Sequence, residues 1–273
     1  MNKKILLILT IILILSNAGM PQNNGSIDWT RAMITASGTD KIEVNGEGLP
    51  VDPDTGRVIS ITEARNMSYS RAKEKAINAA AILISGIPVD NESTIMQILE
   101  RDPVARARMT RVMHEYARFR DRKCGYMEAS CELQINTGYL IIALNYDFPM
   151  EDFPASDVKA SPTLYTSLIV DTRGLKIRPN LLPSIYNESG LEIYGKNFIS
   201  GQDAVKHLSV SYTYTENEAM KHKKAGQHPF FCAALKNLNG SPVLSDDDIR
   251  KVFSHKKNSA YLKKCRVIFI IDR

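Results

Sequence analysis

Apolar and polar positions follow several distinct patterns along this chain. Residues Ile5–Leu15 are apolar apart from Thr10, with Lys3 and Lys4 before them and Ser16-Asn17-Ala18 after them. Further on the apolar positions become periodic. Ala64, Met67, Ala72, Ala76, Ala79, Ala80 and Leu83 line one side of a predicted helix, which Ser60 and Glu63 open as a capping box and Gly86 with Pro88 closes. A second helix is predicted after Asp102, with Pro103 at the first helical position, where its missing N–H is harmless. Its apolar positions Ala105, Met109, Val112, Met113 and Tyr116 recur at three- and four-residue intervals. The period then shortens: residues 127–134 and 139–148 flank Asn136-Thr137-Gly138 and predict a hairpin, with Leu140, Ile142, Leu144 and Tyr146 alternating toward one face.

Residues 149–162 carry three prolines and little apolar periodicity, as a semi-rigid linker does. Beyond them, residues 164–170 predict a buried strand, and residues 181–186 and 191–194 a hairpin around Asn187–Gly190. Residues 203–224 predict a helix, residues 230–235 a strand, Ser245 with Asp248 a helix cap, and residues 265–272 a closing strand. The order of elements predicts an α+β fold of two small two-layer domains, each with helices packed on a mainly antiparallel sheet. The expected boundaries are 1–18 for a signal peptide, 27–148 for the N-terminal domain, 149–162 for the linker and 163–273 for the C-terminal domain.

A charged start, a short apolar run and small residues ending at Ala18 fit a cleaved secretory signal. The run falls well short of the roughly 20 residues that span a bilayer. Export to the periplasm is therefore expected, and Gly19 and Met20 stand where a lipid anchor would need a cysteine. Without Lys3 and Lys4 the balance is 33 basic against 30 acidic residues, a mixed surface and not a polycation. Arg101, Arg106, Arg108, Arg111, Arg118, Arg120, Arg122 and Lys123 form the one dense basic run. In an exported chain such a run fits an anionic membrane, a cell-wall surface or an envelope partner, not nucleic acid. Arg106, Arg108 and Arg111 are the candidate contacts.

Candidate chemistry is sparse. Four cysteines allow three pairings, of which Cys124–Cys131 and Cys232–Cys265 are the simplest within each half, the first only if a turn near Gly125 intervenes. Asp52 to Glu63 superficially fits a calcium loop, but Arg57 occupies the place that needs glycine. His114-Glu115 lacks the second histidine of a zinc protease, since Arg118 stands there. Asp246-Asp247-Asp248 belongs to a first helical turn, where carboxylates favour the macrodipole. Neither a Gly-x-Ser-x-Gly elbow nor a dinucleotide glycine pattern occurs, so no catalytic residue, metal or cofactor is expected. Asp171 and Arg173, leaving a strand end, are the likeliest ligand-binding pair of a rival reading as a soluble periplasmic binding or enzymatic domain.

Ser70-Arg-Ala-Lys73, Lys75-Ala-Ile-Asn-Ala-Ala-Ala81, Ile84 and Tyr139-Leu-Ile-Ile-Ala-Leu144 together resemble the helix-and-sheet unit of small bacterial envelope lipoproteins and of the N-terminal region of flagellar assembly protein T. Residues 165–175, 191–195 and 262–267 resemble the segment that follows this unit in related exported proteins. The resemblance implies a non-enzymatic envelope protein whose partner is an envelope or flagellar basal-body protein. Lys75-Ala76 departs from the Asp-Ala frequent in such helices.

Overall fold

The computed structural model describes residues 24–122, 125, 127–154 and 163–273. The expected signal segment, Cys124 and residues 155–162 of the expected linker lie outside the described residues. The fold is mixed α+β, and the chain divides into two compact units. The first comprises residues up to Asp28, Met33–Gly86 and Met113–Asn136, and the second Trp29–Ala32, Ile87–Val112 and Thr137–Arg273. The division interleaves along the chain where one cut near residue 149 was expected.

The first unit is a four-stranded antiparallel sheet in the order β1 (Gly25–Asp28), β2 (Met33–Lys41), β4 (Glu128–Asn136) and β3 (Arg118–Arg122). Helix α1 (Ile61–Ser85) covers one face. Ser60 caps it by accepting the Glu63 N–H at 3.1 Å, and Gly86 is its C-cap. Its buried positions Ala64, Ser68, Ala72, Ala76, Ala80 and Ile84 are four residues apart or multiples of four, a stripe of mostly small side chains. Beneath them β2 presents Ile34, Ala36 and Gly38, paired with Ile135, Leu133 and Cys131 of β4. Side-chain size falls along β2 toward Gly38, so the helix backbone comes down onto the strand there. A Cβ on Gly38 would lie 2.2 Å from the Ala72 carbonyl oxygen and 2.5 Å from the Ala76 nitrogen. Polar contacts fix the same junction: Ser68 Oγ donates to the Asp40 carbonyl at 2.7 Å, and Lys75 Nζ donates to the Asp40 carboxylate at 2.7 Å.

The predicted hairpin partner of β4 does not form. Gly138–Ala143 is instead a short helix, α4, which packs against α5 (Gly201–His207) in the second unit, while β4 pairs with β2 and β3. Leu140, Ile141, Ala143 and Leu144 are buried, a helical spacing that the alternating reading of the same short apolar run could not exclude. Between α1 and β3 lie α2 (Ile95–Arg101) and α3 (Pro103–Tyr116). Asp102 caps α3 by accepting the Val104 N–H at 2.8 Å, with Pro103 at its first position.

The second unit contains a four-stranded sheet in the order β8 (Ser211–Thr213), β12 (Val267–Ile270), β5 (Ser167–Asp171) and β9 (Pro229–Ala233). All three pairings are parallel, which corrects the expectation of a mainly antiparallel sheet here. Parallel neighbours need long crossovers, and α5 precedes β8, α6 (Glu216–Lys221) precedes β9, and α8 (Lys256–Lys263) precedes β12. The predicted helix over residues 203–224 is thus α5, β8 and α6 in succession. Every residue of β12 is buried, as are the first four of β5, the pattern of strands covered on both faces. A smaller sheet orders β10 (Lys236–Leu238), β11 (Ser241–Val243), β6 (Ile185–Tyr186) and β7 (Glu192–Tyr194). β6 and β7 form the expected hairpin, and Ser245 caps α7 (Asp246–Phe253) as expected.

Residues 87–112 join this unit through backbone bonds, because Leu181 and Leu182 N–H donate to the Pro88 and Val89 carbonyls at 3.1 and 2.8 Å. The described start of the expected linker is fastened here too. Phe153 stacks on Phe198 at 5.2 Å, and Asp152 pairs with Lys263 at 3.0 Å.

The Gly38 junction yields the first prediction. Gly38→Ala should destabilise the first unit by about 3 kcal/mol, because backbone atoms of α1 and not flexible side chains obstruct the added methyl. Faster hydrogen exchange at the β2 and β4 amides, without a matching change in β5 and β12, is the expected result.

Candidate functional site

The carboxyl ends of parallel strands are where open α/β sheets gather ligand-binding groups. β5 delivers Asp171 to that edge, and the chain turns through Thr172-Arg173-Gly174. Asp171 Oδ1 accepts from Arg173 N at 3.1 Å and Nε at 2.8 Å, and Oδ2 accepts from Nη2 at 2.5 Å. Gly174, at φ +80°, donates its N–H to both oxygens of Asp272 at 3.0 and 3.1 Å. Thr172 is tied to the Ile270 carbonyl through its N–H at 2.9 Å and its hydroxyl at 2.8 Å. Beside them Glu218 accepts the N–H groups of Tyr214 and Thr215 and closes the capping box of α6.

These contacts decide what the edge can do. Hydrogen bonding from the Arg173 side chain holds the Asp171 carboxyl below the usual carboxylate range. Asp171 in turn raises the Arg173 guanidinium, with Glu216 and Asp272 adding to the effect. A depressed carboxylate with both oxygens bonded is a poor proton acceptor. The pair works as a clamp that fixes the turn to the strand beside it.

The arginine-rich helix divides in a similar way. Arg106 folds back so that Nε and Nη2 donate to the Leu99 carbonyl at 3.1 and 2.9 Å, which caps the end of α2. Arg108 is exposed and donates to the Asn145 side chain, and Arg111 is exposed on the same helix. Arg106 is therefore a structural cap, and the outward charge of this helix rests with the other two.

The proposed Cys232–Cys265 disulfide does not form, since both thiols are free and buried. Cys232 sits on β9 and Cys265 precedes β12, with β5 between these strands. Two strand spacings are about 9.6 Å, whereas a bridge needs Cα atoms within about 7 Å. Cys131 is buried on β4, and its suggested partner Cys124 lies outside the described residues.

Sequence reading missed a buried polar centre. Lys224, only 4% exposed, donates its ammonium to the Leu208 carbonyl at 3.0 Å. Burial pulls its pKa down from 10.5 to about 7, a neighbouring Cys265 thiol opposes this and Lys223 adds to it. Burial pushes the Cys265 thiol up to about 12. The Tyr194 hydroxyl beside Cys265 donates to the Ser209 carbonyl at 2.6 Å, and burial raises it well above its ordinary range. Nothing in local sequence marks Lys224, as against Lys221 or Lys223, as the buried one. Among the described residues no group of three His, Cys, Asp or Glu could hold a metal ion.

Residues 167–273 match the family model described as Treponema pallidum Tp0624, second domain, beginning at the first residue of β5. No curated protein matches the chain.

Two predictions test these sites. Asp171→Asn should lower second-unit stability by about 1 kcal/mol, the scale of a partly exposed ion pair. Wild type should show a similar loss as acid protonates Asp171 below its ordinary value of 3.8. For Lys224 the unfolded chain holds a proton between pH 7 and 10.5 that the folded chain releases, so stability rises with pH across that window and levels off below it. Lys224→Met should flatten this slope and stabilise the unit by about 2 kcal/mol at pH 6, the relief of buried charge outweighing the unpaired Leu208 carbonyl. Urea titrations can follow both through Trp29, the only tryptophan, whose ring meets Tyr212 edge-on at 5.7 Å.

Proposed function

We propose that this chain is an exported structural or assembly protein of the cell envelope, acting through protein–protein contacts and associated with the flagellar basal body. The observation that carries the reading is the self-contained Asp171/Arg173 clamp: the pair that the rival reading offers to a ligand is engaged with itself and with its own turn. The Lys3–Ala18 pattern supports export. No described helix is long and apolar enough to cross a membrane, so attachment to the envelope runs through surface contacts in this reading. Arg108 and Arg111 on α3 offer one such contact, with Arg106 left to its capping role.

Fractionation of the cells that make the chain should find it outside the cytoplasm, and recovery from the cytoplasm alone would overturn the reading. Cross-linking in cells followed by capture should recover an envelope partner, and Arg108→Glu with Arg111→Glu should reduce that recovery at least tenfold. Unchanged recovery would remove α3 from the contact. Loss of swimming on deletion of the gene tests the flagellar association, and normal flagella would confine the role to the rest of the envelope.

A further inference from the structure

The parallel sheet of the second unit has two chemically different edges. The connections that leave α5, α6 and α8 lead into the edge where β8, β9 and β12 begin, and the one after α6 is bonded there, its Ala225 carbonyl accepting from the Thr166 and Ser167 hydroxyls at the start of β5 at 2.6 and 2.7 Å. The ends of these helices carry Lys206-His207, Lys221-His222-Lys223 and Lys263-Lys264. The Lys224 bond to the Leu208 carbonyl ties two of these connections together. The cations sit close enough to act on one another: after burial, Lys206, Lys224 and Lys223 hold His207 down, while Lys224 and Lys223 do the same to His222. Asp203 is the acid that opposes them, acting on His207 and on Cys265. The opposite edge carries Asp171, Glu216, Glu218 and Asp272, together with Arg173 and Arg273.

Cations at helix C-termini complement the macrodipole, which explains one residue in each last turn. It does not explain the accumulation here, because α5 has seven residues, α6 has six, and Lys223 lies beyond its helix. Lys206, Lys221, Lys223 and Lys264 are exposed, and among the described residues none forms an ion pair. Met220, 46% exposed, is an apolar side chain next to Lys221 in the last turn of α6.

We propose that this amino edge docks the chain on an anionic phospholipid surface, with Lys206, Lys221, Lys223 and Lys264 facing the headgroups and Met220 entering between them. The proposal deepens the envelope reading and rests on it. Lysines with long stems and no fixed partner suit a diffuse sheet of phosphates, whereas directed recognition of protein carboxylates favours the planar fork of arginine. The charge difference between the two edges also orients the unit as it approaches a negative surface.

Flotation of the full chain with vesicles tests this. Binding is expected to vesicles of equal phosphatidylcholine and phosphatidylglycerol, not to phosphatidylcholine alone, with release in molar salt. Each lysine near such a surface contributes about fivefold to partitioning, so Lys221→Gln with Lys223→Gln should weaken binding about twenty-fivefold. The control Lys176→Gln with Lys236→Gln removes the same charge from the chain just beyond β5 and β9, at the opposite edge, and should leave binding unchanged. Unchanged Trp29 fluorescence verifies that both variants fold. Equal losses from the two pairs would overturn the assignment in favour of non-specific charge. So would an absence of vesicle binding accompanied by cross-links from the amino edge to an acidic protein. Failure at vesicles with the chain still found in the envelope sinks this surface alone; recovery from the cytoplasm sinks the envelope reading itself.

Discussion

The first unit depends on an approach between α1 and β2 so close that no side chain fits between them at Gly38. Much of its sequence follows from that constraint. Small residues must recur at four-residue spacing on the helix, and the inward face of β2 must shrink from Ile34 through Ala36 to nothing. In exchange for a smaller buried apolar area per residue, the helix and strand backbones come near enough for Ser68 and Lys75 to bond the Asp40 backbone and carboxylate. The bulkier apolar groups are placed where the layers diverge, as with Ile42, Ile59 and Met67 under the start of the helix.

The second unit solves a different problem. β5 and β12 are apolar along almost their whole length, so both faces must be covered and their neighbours run parallel through helical crossovers. That topology sends all strand starts to one edge and all strand ends to the other. Polar chemistry then segregates with it: hydrogen-bonded clamps such as Asp171 with Arg173 secure the turns at one end, while unpaired lysines collect at the other. Charge asymmetry in this unit is thus a product of connectivity as well as of composition.

Much of this was legible in the residues. Ser60, Asp102 and Ser245 each marked a helix start because an N-cap is a local bond between neighbours in sequence. Asn187–Gly190 marked a hairpin for the same reason. β2 was hidden because Ala36 and Gly38 carry little apolar signal even though they are buried, and their role depends on a helix more than thirty residues away. Strand direction in the second unit was equally illegible, since periodicity reports which faces are buried and not which neighbour a strand takes. At the site, the Asp171/Arg173 pairing could be read from its spacing, but Lys224 could not be singled out, because its burial depends on where the Leu208 connection passes.

The separation of Cys232 from Cys265 by β5 has a consequence for how the chain acquires its fold. In an oxidising medium two reduced thiols in one unit compete between folding and bonding to each other, and here the outcomes exclude one another. Once the sheet is assembled, β5 stands between the sulfurs and burial keeps both as thiols, which are far less reactive than thiolates. A covalent link formed earlier would hold β9 and β12 together and leave β5 no place between them. In such a medium the middle strand acts as a spacer in time as well as in space, since its insertion must outrun oxidation.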